Sequence, residues 1–360
     1  MSLDKKALNV LMMPDYRQDN PYQNLLSEAL EKDGLKVTFC EGYYRIFPIW
    51  RQINKQKKIC DVLHLHWLNP YLKGENWFVK FVYCIKFLID ICLVKLLGVK
   101  IVWTIHNLAA HNTKFPRLEK VVKQCFLWLN DQTIVHSEAA KVLVLQAYFV
   151  SEAKVTVIPH GHYRDVYPAA IAPELAREKL GLPPTGLIFL NFGLLKPYKG
   201  VDKLIEIWRS HSEDLQDTQL LIVGKALDED YGETLMQLSA SVGGIELRDE
   251  FVPETEIHLY FSAADVVVLP FQQILTSGSL LLAMSYGKPI IAPRFASLEE
   301  TIGNASDLLY DADQEDALWQ IIQRATAQSD LMDLSQRTKI VCDALNWSAI
   351  AKRTRDLYQS

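Results

Sequence analysis

Hydrophobic residues along the chain fall into short continuous apolar runs, and these alternate with longer amphipathic stretches. Such runs predict parallel strands that are buried on both faces of a sheet, and the stretches between them, for example 22–33 and 117–130, predict covering helices. The predicted strands are 8–13, 35–40, 61–67, 99–106, 132–137 and 154–159 in the first half of the chain, and 187–193, 218–224, 244–251, 265–271 and 288–293 in the second.

Two successive β/α series of this kind predict an α/β protein with two doubly wound, Rossmann-like domains. The length of 360 residues suits two domains of about 150–200 residues each. The segment 161–186 is rich in proline and is the predicted linker. The first domain is therefore expected over 1–165 and the second over 185–342. Because ligands of such folds bind beyond the carboxyl ends of the strands, the loops that follow the strands are the candidate functional loops.

Composition narrows the class of protein. Hydrophobic residues make up 49% of the chain and charged residues 22%, so both domains can bury a core. The formal net charge of −5 gives no electrostatic reason to expect nucleic acid as a partner. The six cysteines are scattered without a C-x-x-C pair, and the first residues lack the apolar stretch of a signal peptide. These features predict a reduced, cytoplasmic protein.

One segment, 77–98, is long and apolar enough to suggest a membrane span. Four charged residues interrupt it within about half of the helical wheel, which predicts an amphipathic helix and not a span. Those residues are Lys80, Lys86, Asp90 and Lys95. Two interpretations stay open: a surface helix packed on the sheet, or a helix that attaches the protein weakly and reversibly to the inner face of the membrane. In the second case the apolar wedges would be Trp77, Phe78, Phe81 and Phe87.

The first chemically informative loop follows the predicted strand 187–193. Gly193 permits a tight turn directly after the strand, and Lys196 and Lys199 then stand where a helix begins. Lysine is a good point-charge partner for phosphate, and a helix N-terminus adds unpaired N–H groups. Together they could neutralise a diphosphate, the leaving group of a nucleotide sugar. An ordinary solvated loop is the alternative for this motif.

The second informative loop follows the predicted strand 265–271 and opens a short helix. Thr276 or Ser277 is a good N-cap residue, Gly287 suits the end of the helix, and Pro289 bars its continuation. Small residues at the start of the helix leave backbone N–H groups bare and add hydroxyl donors. Two interpretations are open for these residues, an anion-binding site and simple capping of the helix. Because the two loops follow different strands of one sheet and carry complementary chemistry, together they favour a diphosphate site. The residues concerned are Thr276, Ser277, Gly278 and Ser279.

Histidines stand at several predicted strand ends. His106 closes the strand 99–106, where it could act as acid, base or hydrogen-bond donor, and is the predicted catalytic residue. His160 and Gly161, at the junction of the two halves, could approach the donor. His64 and His66 point to one side of a strand, but no third ligand is identifiable and no D-x-D pair occurs, so no metal site is predicted.

The loop 14–23 follows the first predicted strand. It lacks the G-x-G-x-x-G sequence of a nicotinamide or flavin site. Its polar and aromatic residues suit contact with a sugar or an acceptor, and a plain connecting loop is the alternative. The candidate acceptor-binding residues are Asp15, Asn20 and Tyr22.

Taken in order, these motifs resemble the GT-B glycosyltransferases of family four, the glycogen-synthase-like enzymes. The similarity runs through WTIHN, VIPHG, FGLLKPYKGVDKLI, LLIVG, FVPETEIHLYFSAADVVVLPF and LLLAMSYGKPIIAP. It implies a GT-B fold of two domains that face each other across a cleft, with a nucleotide-diphosphate-sugar held mainly by the second domain and an acceptor by the first. It implies no cofactor and no required metal, because lysines and helix N-termini neutralise the leaving group. It also implies that Gly193, Lys196 and Lys199 bind the donor phosphates, and that 343–360 is a helix crossing back onto the first domain.

The chain departs from the family pattern at two informative places. The family usually carries a pair of glutamates, E-x7-E, whose positions are occupied here by Ile274 and Leu282, and Leu194 stands where many relatives have arginine. The expected activity is transfer of a hexose from a nucleotide-diphosphate-sugar to a glycan or lipid-linked glycan in surface polysaccharide synthesis. The alternatives are a non-catalytic nucleotide-sugar or glycan-binding protein and a GT-B nucleotide-sugar epimerase.

Overall fold

The computed structural model describes residues 7–18, 20–40, 46–55, 60–108, 114–240, 242–327 and 330–360. The chain divides into two compact units. The first unit combines Met1–Gly161 with Asn346–Ser360, and the second unit is His162–Leu345. The predicted linker 161–186 starts at the first crossing point, but its residues from His162 onward belong to the second unit, which therefore begins earlier than the predicted 185. The closing segment predicted from 343 starts three residues before the second crossing point at Asn346.

In the described part of the first unit, six parallel strands form one sheet in the order β2-β1-β3-β4-β5-β6. The strands are β1 (Asn9–Met13), β2 (Lys36–Phe39), β3 (Val62–Leu65), β4 (Lys100–Thr104), β5 (Gln132–Val135) and β6 (Val155–Val157). The helices that alternate with them are α1 (Pro21–Lys32), α2 (Pro48–Lys55), α3 (Trp77–Leu96), α4 (Pro116–Leu129) and α5 (Glu138–Ala147).

The described residues of the second unit form another six-stranded parallel sheet, in the order β12-β11-β10-β7-β8-β9. The strands are β7 (Leu187–Phe192), β8 (Thr218–Val223), β9 (Ile245–Arg248), β10 (Val266–Val268), β11 (Ile290–Pro293) and β12 (Leu309–Tyr310). The helices are α6 (Pro173–Leu180), α7 (Val201–Ser210), α8 (Glu229–Ser239), α9 (Ile257–Ala263), α10 (Gly278–Ser285), α11 (Ala296–Ile302), α12 (Ala317–Ala327) and α13 (Leu331–Ala344).

A last helix, α14 (Trp347–Gln359), belongs to the first unit. The side chain of Asn346 caps it by accepting a hydrogen bond from the N–H of Ala349 at 2.9 Å. The helix packs against α1, and its buried Trp347 and Tyr358 join the apolar core of the first unit. The chain therefore returns to the first unit because an apolar stripe of its last helix completes that core.

Each predicted strand is present, shortened by one to four residues, and the predicted α/β architecture is confirmed. Strand β12 and helix α6 were not predicted. Strand β12 spans two residues at the edge of its sheet, too short for any periodicity to mark it. Helix α6 lies inside the predicted linker, where Arg177 holds it to the second unit by bonds to Asp265 at 2.8 Å and to the carbonyl of Ala263 at 3.1 Å.

Helix α3 corrects the predicted placement of its charges. Lys80 and Asp90 are buried and do not face solvent. Lys80 pairs with Glu119 on α4, and Asp90 accepts hydrogen bonds from the backbone N–H groups of Ile49 and Trp50 at the start of α2. These partners make burial of the two charges tolerable, and only the tertiary structure supplies them.

The outward face of α3 is apolar instead. Phe87, one of the four predicted wedges, is buried, because it lies on the side that packs on the core. The other three are exposed, and they continue into a stripe along the helix. It consists of Trp77 (56% exposed), Phe78 (69%), Phe81 (38%), Ile85 (41%) and Ile89 (44%). Among the helices of the described residues, none combines the length and apolarity needed to cross a bilayer.

Candidate functional site

The carboxyl end of β7 brings together the two loops predicted to bind a diphosphate. Gly193 follows β7, Lys199 ends a short 3-10 turn, and Ser279 lies in the first turn of α10. The Nζ atom of Lys199 is 3.4 Å from the Oγ atom of Ser279. Gly193 has a φ of 109°, and a Cβ atom there would lie 3.1 Å from Ser279 Oγ and 3.2 Å from Lys199 Nζ. The positive φ favours glycine, and a Cβ atom would in addition push the side chains of Ser279 and Lys199 apart by a few tenths of an ångström.

Lys199 is a buried ammonium group. Burial, with a smaller contribution from nearby Lys196, lowers the pKa of Lys199 from 10.5 to about 8. Within the described part of the chain, no carboxylate forms an ion pair with it. A desolvated cation without a carboxylate partner is suited to an anionic ligand, which would supply the missing charge.

Helix α10 begins as the sequence predicted. The hydroxyl oxygen of Ser277 caps the helix by accepting a hydrogen bond from the N–H of Leu280 at 3.1 Å. The Oγ1 atom of Thr276 is buried and has no hydrogen-bond partner among the described residues, while Gly278 is exposed. Leu282, at the position of the second family glutamate, is buried. The start of the helix therefore offers polar groups, and the second turn offers an apolar side chain where many relatives have a carboxylate.

His106, the predicted catalytic residue, follows β4 and lies in a buried group of histidines in the first unit. Its Nε2 atom is 3.3 Å from Nδ1 of His66, and its Nδ1 atom is 3.3 Å from Nε2 of His136. Trp67 stacks on the ring of His106 with centroids 4.5 Å apart. Burial holds the pKa of His106 well below 6.5, so the imidazole is neutral. Both of its ring nitrogens are thus engaged by other imidazoles.

Tyr22, predicted to bind an acceptor, lies inside the same group and is buried. The pKa of its hydroxyl is raised by burial, against a hydrogen bond with Thr104 that lowers it. The ring of Tyr22 is enclosed by other aromatic rings, so an acceptor would reach it only after these rings move, and the acceptor contact stays a prediction. Those rings belong to His66, His106, His136, His160 and Trp347.

The other two candidate acceptor residues lie beside α1. The side chain of Asn20 accepts a hydrogen bond from the N–H of Tyr22 at 3.0 Å and caps the helix. Asp15 pairs with Arg17 at 2.9 Å, and the hydrogen bond from this guanidinium is the main reason why the pKa of Asp15 lies below 3.8. Asp15 remains partly exposed and is therefore the predicted acceptor residue that still presents a polar group.

His160 and Gly161 have packing roles in the first unit. The Nδ1 atom of His160 donates a hydrogen bond to the carbonyl of Gly161 at 2.8 Å. A Cβ atom on Gly161 would approach the indole ring of Trp347 to 2.3 Å, so glycine is required by contact with α14. The donor contact predicted for both residues stays a prediction.

No group of three or more His, Cys, Asp or Glu residues in the described part of the chain could hold a metal ion. The five buried histidines are held neutral by desolvation, which lowers the pKa of His136 to about 4 and those of His64 and His160 to about 3. His111, a further histidine near His106 in the sequence, lies outside the described residues.

The chain is similar in sequence to known glycosyltransferases. Residues 186–328 match the family model described as Glycosyl transferases group 1. A GDP-mannose:glycolipid 4-beta-D-mannosyltransferase from Xanthomonas campestris pv. campestris is 30% identical over 285 residues, covering 77% of this chain and 75% of the relative. The chain belongs to the group 1 glycosyltransferases. A D-inositol 3-phosphate glycosyltransferase 2 from Catenulispora acidiphila is 22% identical over 360 residues, with 94% of this chain and 78% of the relative covered.

Solved structures share the fold of this group 1 glycosyltransferase. A sucrose-phosphate synthase from Thermosynechococcus elongatus superimposes with a TM-score of 0.76 at 20% identity, over 98% of both chains. HepE from Anabaena, in complex with UDP and glucose, gives 0.73 at 15% identity, over 98% of this chain and 99% of HepE. The predicted GT-B fold, the resemblance to the glycogen-synthase-like enzymes and the predicted hexosyltransferase activity on a nucleotide sugar are confirmed.

Sequence reasoning did not single out His136, and it considered His66 only as a metal ligand. A signal for the histidine group was present, because His66, His106, His136 and His160 all come within three residues of the end of a strand. Strands β3, β4, β5 and β6 are consecutive neighbours in one parallel sheet, so their carboxyl ends lie side by side. The sequence does not give the order of strands in the sheet, and without that order the contact between these histidines could not be predicted.

Proposed function

We propose that this glycosyltransferase holds the diphosphate of its donor in the second unit, with Lys196, Lys199 and the start of α10. The hexose then passes to a lipid-linked glycan during assembly of a surface polysaccharide. The observation that carries the proposal is the buried ammonium of Lys199, which lies beside Ser279 and Gly193 without a carboxylate partner among the described residues.

The chemistry follows from the charge that develops in the reaction. When the bond between the sugar and the diphosphate breaks, the leaving oxygen gains negative charge. A buried cation stabilises this charge more strongly than an exposed one, because little water screens it. The bare N–H groups at the start of α10 act in the same direction.

The name of the relative from Xanthomonas gives GDP-mannose as its donor and a glycolipid as its acceptor. We take GDP-mannose as the first donor to test on this chain, and a glycolipid as the acceptor class. The exposed apolar stripe on α3 supports an acceptor of this kind, because a protein that works on a lipid-linked glycan gains from contact with the membrane surface. Trp77 and Phe78, at the start of the stripe, suit the boundary between headgroups and acyl chains.

A second candidate is a protein that binds the nucleotide sugar without transferring it. It is favoured by one observation, the replacement of the family's paired glutamates by Ile274 and the buried Leu282. Binding of the donor phosphates by lysines does not require those carboxylates, so the two candidates make the same prediction for affinity and differ only in turnover.

The experiment is a thermal-shift screen of GDP-, UDP- and ADP-sugars, followed by incubation of the stabilising donor with a glycolipid fraction. We expect one nucleotide class to raise the melting temperature, and the sugar to appear in the lipid phase with release of the nucleoside diphosphate. Stabilisation without release of diphosphate would favour the binding protein, and a converted free nucleotide sugar would favour an epimerase. Failure of every nucleotide sugar to stabilise the protein would contradict the donor site.

A further inference from the structure

The histidines of the first unit form an ordered chain of contacts. Nδ1 of His136 lies 2.9 Å from the carbonyl oxygen of Ile158. Nε2 of His136 lies 3.3 Å from Nδ1 of His106, and Nε2 of His106 lies 3.3 Å from Nδ1 of His66. His136 and His106 therefore each engage both ring nitrogens, whereas His66 engages only Nδ1.

The carbonyl at one end decides where every proton in the chain sits. A carbonyl oxygen only accepts, so Nδ1 of His136 must carry the proton. Because burial keeps His136 neutral, its Nε2 has no proton and must accept one from Nδ1 of His106. By the same argument Nε2 of the neutral His106 has no proton and accepts a hydrogen bond from Nδ1 of His66, which therefore carries a proton. All three residues are then the Nδ1–H tautomer, and Nε2 of His66 is left with a bare lone pair.

This last nitrogen has no partner. Nε2 of His66 is buried, and none of the described residues forms a hydrogen bond with it. A buried polar atom without a partner destabilises the folded protein, so such atoms are rare and call for a functional or structural reason. The main chain at His66 is also held in place, because the indole N–H of Trp103 donates to the backbone carbonyl of His66 at 3.0 Å.

We infer that His66, His106 and His136 form a relay in which the Ile158 carbonyl orients all the protons, and Nε2 of His66 is the base that takes the proton of the acceptor hydroxyl. This inference rests on the proposed transferase function. It moves the role of base from His106, whose two nitrogens are both engaged, to its neighbour, and it makes His106 and His136 positioning residues.

The acceptor oxygen forms its bond to the anomeric carbon as its proton passes to Nε2 of His66, and the bond from that carbon to the diphosphate breaks with the electron pair leaving on the diphosphate. The Nδ1 proton of His66 moves to Nε2 of His106, and the Nδ1 proton of His106 moves to Nε2 of His136. The positive charge thereby comes to rest on His136, where the Ile158 carbonyl accepts a hydrogen bond from the resulting imidazolium. The reverse sequence returns the proton to solvent after product leaves.

Other polar groups on several elements surround the three histidines of the relay. The ring of His64 on β3 is tilted against that of His66, with centroids 4.2 Å apart, and is hydrogen-bonded to Thr104 and to Tyr358 of α14. Tyr22 of α1 and His160 after β6 also contact the group. Protein covers Nε2 of His66, so a hydroxyl reaches it only after a displacement of the covering residues. The first experiment is therefore made without an acceptor.

The first test is nuclear magnetic resonance of protein labelled with ¹⁵N-histidine, which distinguishes the two neutral tautomers directly. We expect His66, His106 and His136 to be Nδ1–H tautomers at pH 7, whereas free histidine in water prefers the other form. An Nε2–H tautomer at His66 or at His106 would overturn the relay. This measurement involves no nucleotide and no acceptor, so its outcome is independent of the proposed transferase function.

The second test uses two substitutions that keep different halves of the imidazole. His66→Asn retains a donor near the position of Nδ1 and removes the base, and His66→Gln retains an acceptor near the position of Nε2 that cannot take a proton. We expect both to lower kcat by about 10²–10⁴-fold with unchanged affinity for the nucleoside diphosphate. Near-normal kcat for His66→Asn in a folded protein would mean that the ring has only a structural role and would overturn the assignment of the base.

Discussion

The ammonium of Lys199 and the hydroxyl of Ser279 lie 3.4 Å apart, although 80 positions separate them in the chain. The two residues meet because β7 and β10 are neighbouring parallel strands whose carboxyl ends open onto the same edge of the sheet. Gly193 follows β7 directly, and its lack of a side chain leaves room between the two loops. The first two predictions concern this arrangement.

Replacement of Lys199 or Lys196 by alanine is expected to weaken binding of the nucleoside diphosphate by about 1.5–3 kcal/mol each, the range of a charge-assisted hydrogen bond. Isothermal titration calorimetry measures the effect. Lys203→Ala is the matched control, since this exposed lysine lies on α7 of the same unit and should leave affinity unchanged. Unchanged affinity for both Lys196→Ala and Lys199→Ala would remove these lysines from the donor site.

The affinity for the nucleoside diphosphate is also expected to fall as the pH rises above 8. Burial lowers the pKa of Lys199 to about 8, so the free protein loses the proton of this ammonium group above that pH, and the diphosphate binds the protonated form. Each further pH unit should then weaken binding by up to about tenfold until the pKa of the bound form is reached. Calorimetry between pH 7 and 9.5 tests this. The Lys199→Ala protein should lack the decline, and an equal decline in both proteins would assign it to another group.

His106→Ala is expected to lower turnover strongly while the affinity for the nucleoside diphosphate persists, because the lysines and α10 belong to the second unit. Loss of His106 breaks the contacts of both His66 and His136, so an effect of about 10²–10⁴-fold is expected for loss of general-base catalysis. His258→Ala on α9 of the second unit serves as the histidine control. A folded His106→Ala protein with near-normal turnover would exclude His106 from the mechanism and turn attention to Asp15.

The exposed stripe of α3 is expected to bind vesicles of phosphatidylglycerol and phosphatidylcholine. Phe78→Ser and Ile85→Ser should each reduce co-sedimentation about tenfold or more, because burial of a large apolar side chain contributes roughly 1.5–3 kcal/mol. Met332→Ser on α13 is the control, since this side chain is 85% exposed on the other unit. If the two α3 substitutions leave lipid binding unchanged but convert a dimer into a monomer, the stripe is a protein interface and the proposed membrane contact is wrong.

The first unit is expected to lose stability as the pH falls from 7 to 4. Burial lowers the pKa of His136 to about 4 and those of His64 and His160 to about 3, while the same residues titrate near 6.5 in the unfolded chain. Below 6.5 the unfolded state therefore binds more protons, and the free energy of unfolding decreases by up to about 1.4 kcal/mol per pH unit for each histidine.

Amide hydrogen exchange at pH 7 and pH 5, corrected for the intrinsic exchange rates, measures this separately in each unit. Protection should fall more in β3, β4 and β5 than in β7 and β8, which serve as the internal reference. Equal loss in the two units would show that the buried histidines do not set the acid sensitivity.

The amino-acid sequence alone predicted the alternation of strands and helices, the two α/β series and the family. It did so because strands buried on both faces need continuous apolar runs, and glycine, proline and capping residues mark the turns between them. The cap of Ser277 on α10 and the glycine after β7 were predictable for this reason, since both depend on residues close in the chain.

The order of strands within each sheet and the partners of buried polar groups were decided only by the tertiary structure. The periodicity of α3 gives a helix, but not which face turns inward, because the partners of Lys80 and Asp90 lie on α4 and at the start of α2. In the same way, no local pattern brings His66, His106 and His136 into contact; they meet because β3, β4 and β5 pair side by side. Contacts between distant residues depend on how strands pair and helices pack, and a local periodicity records neither.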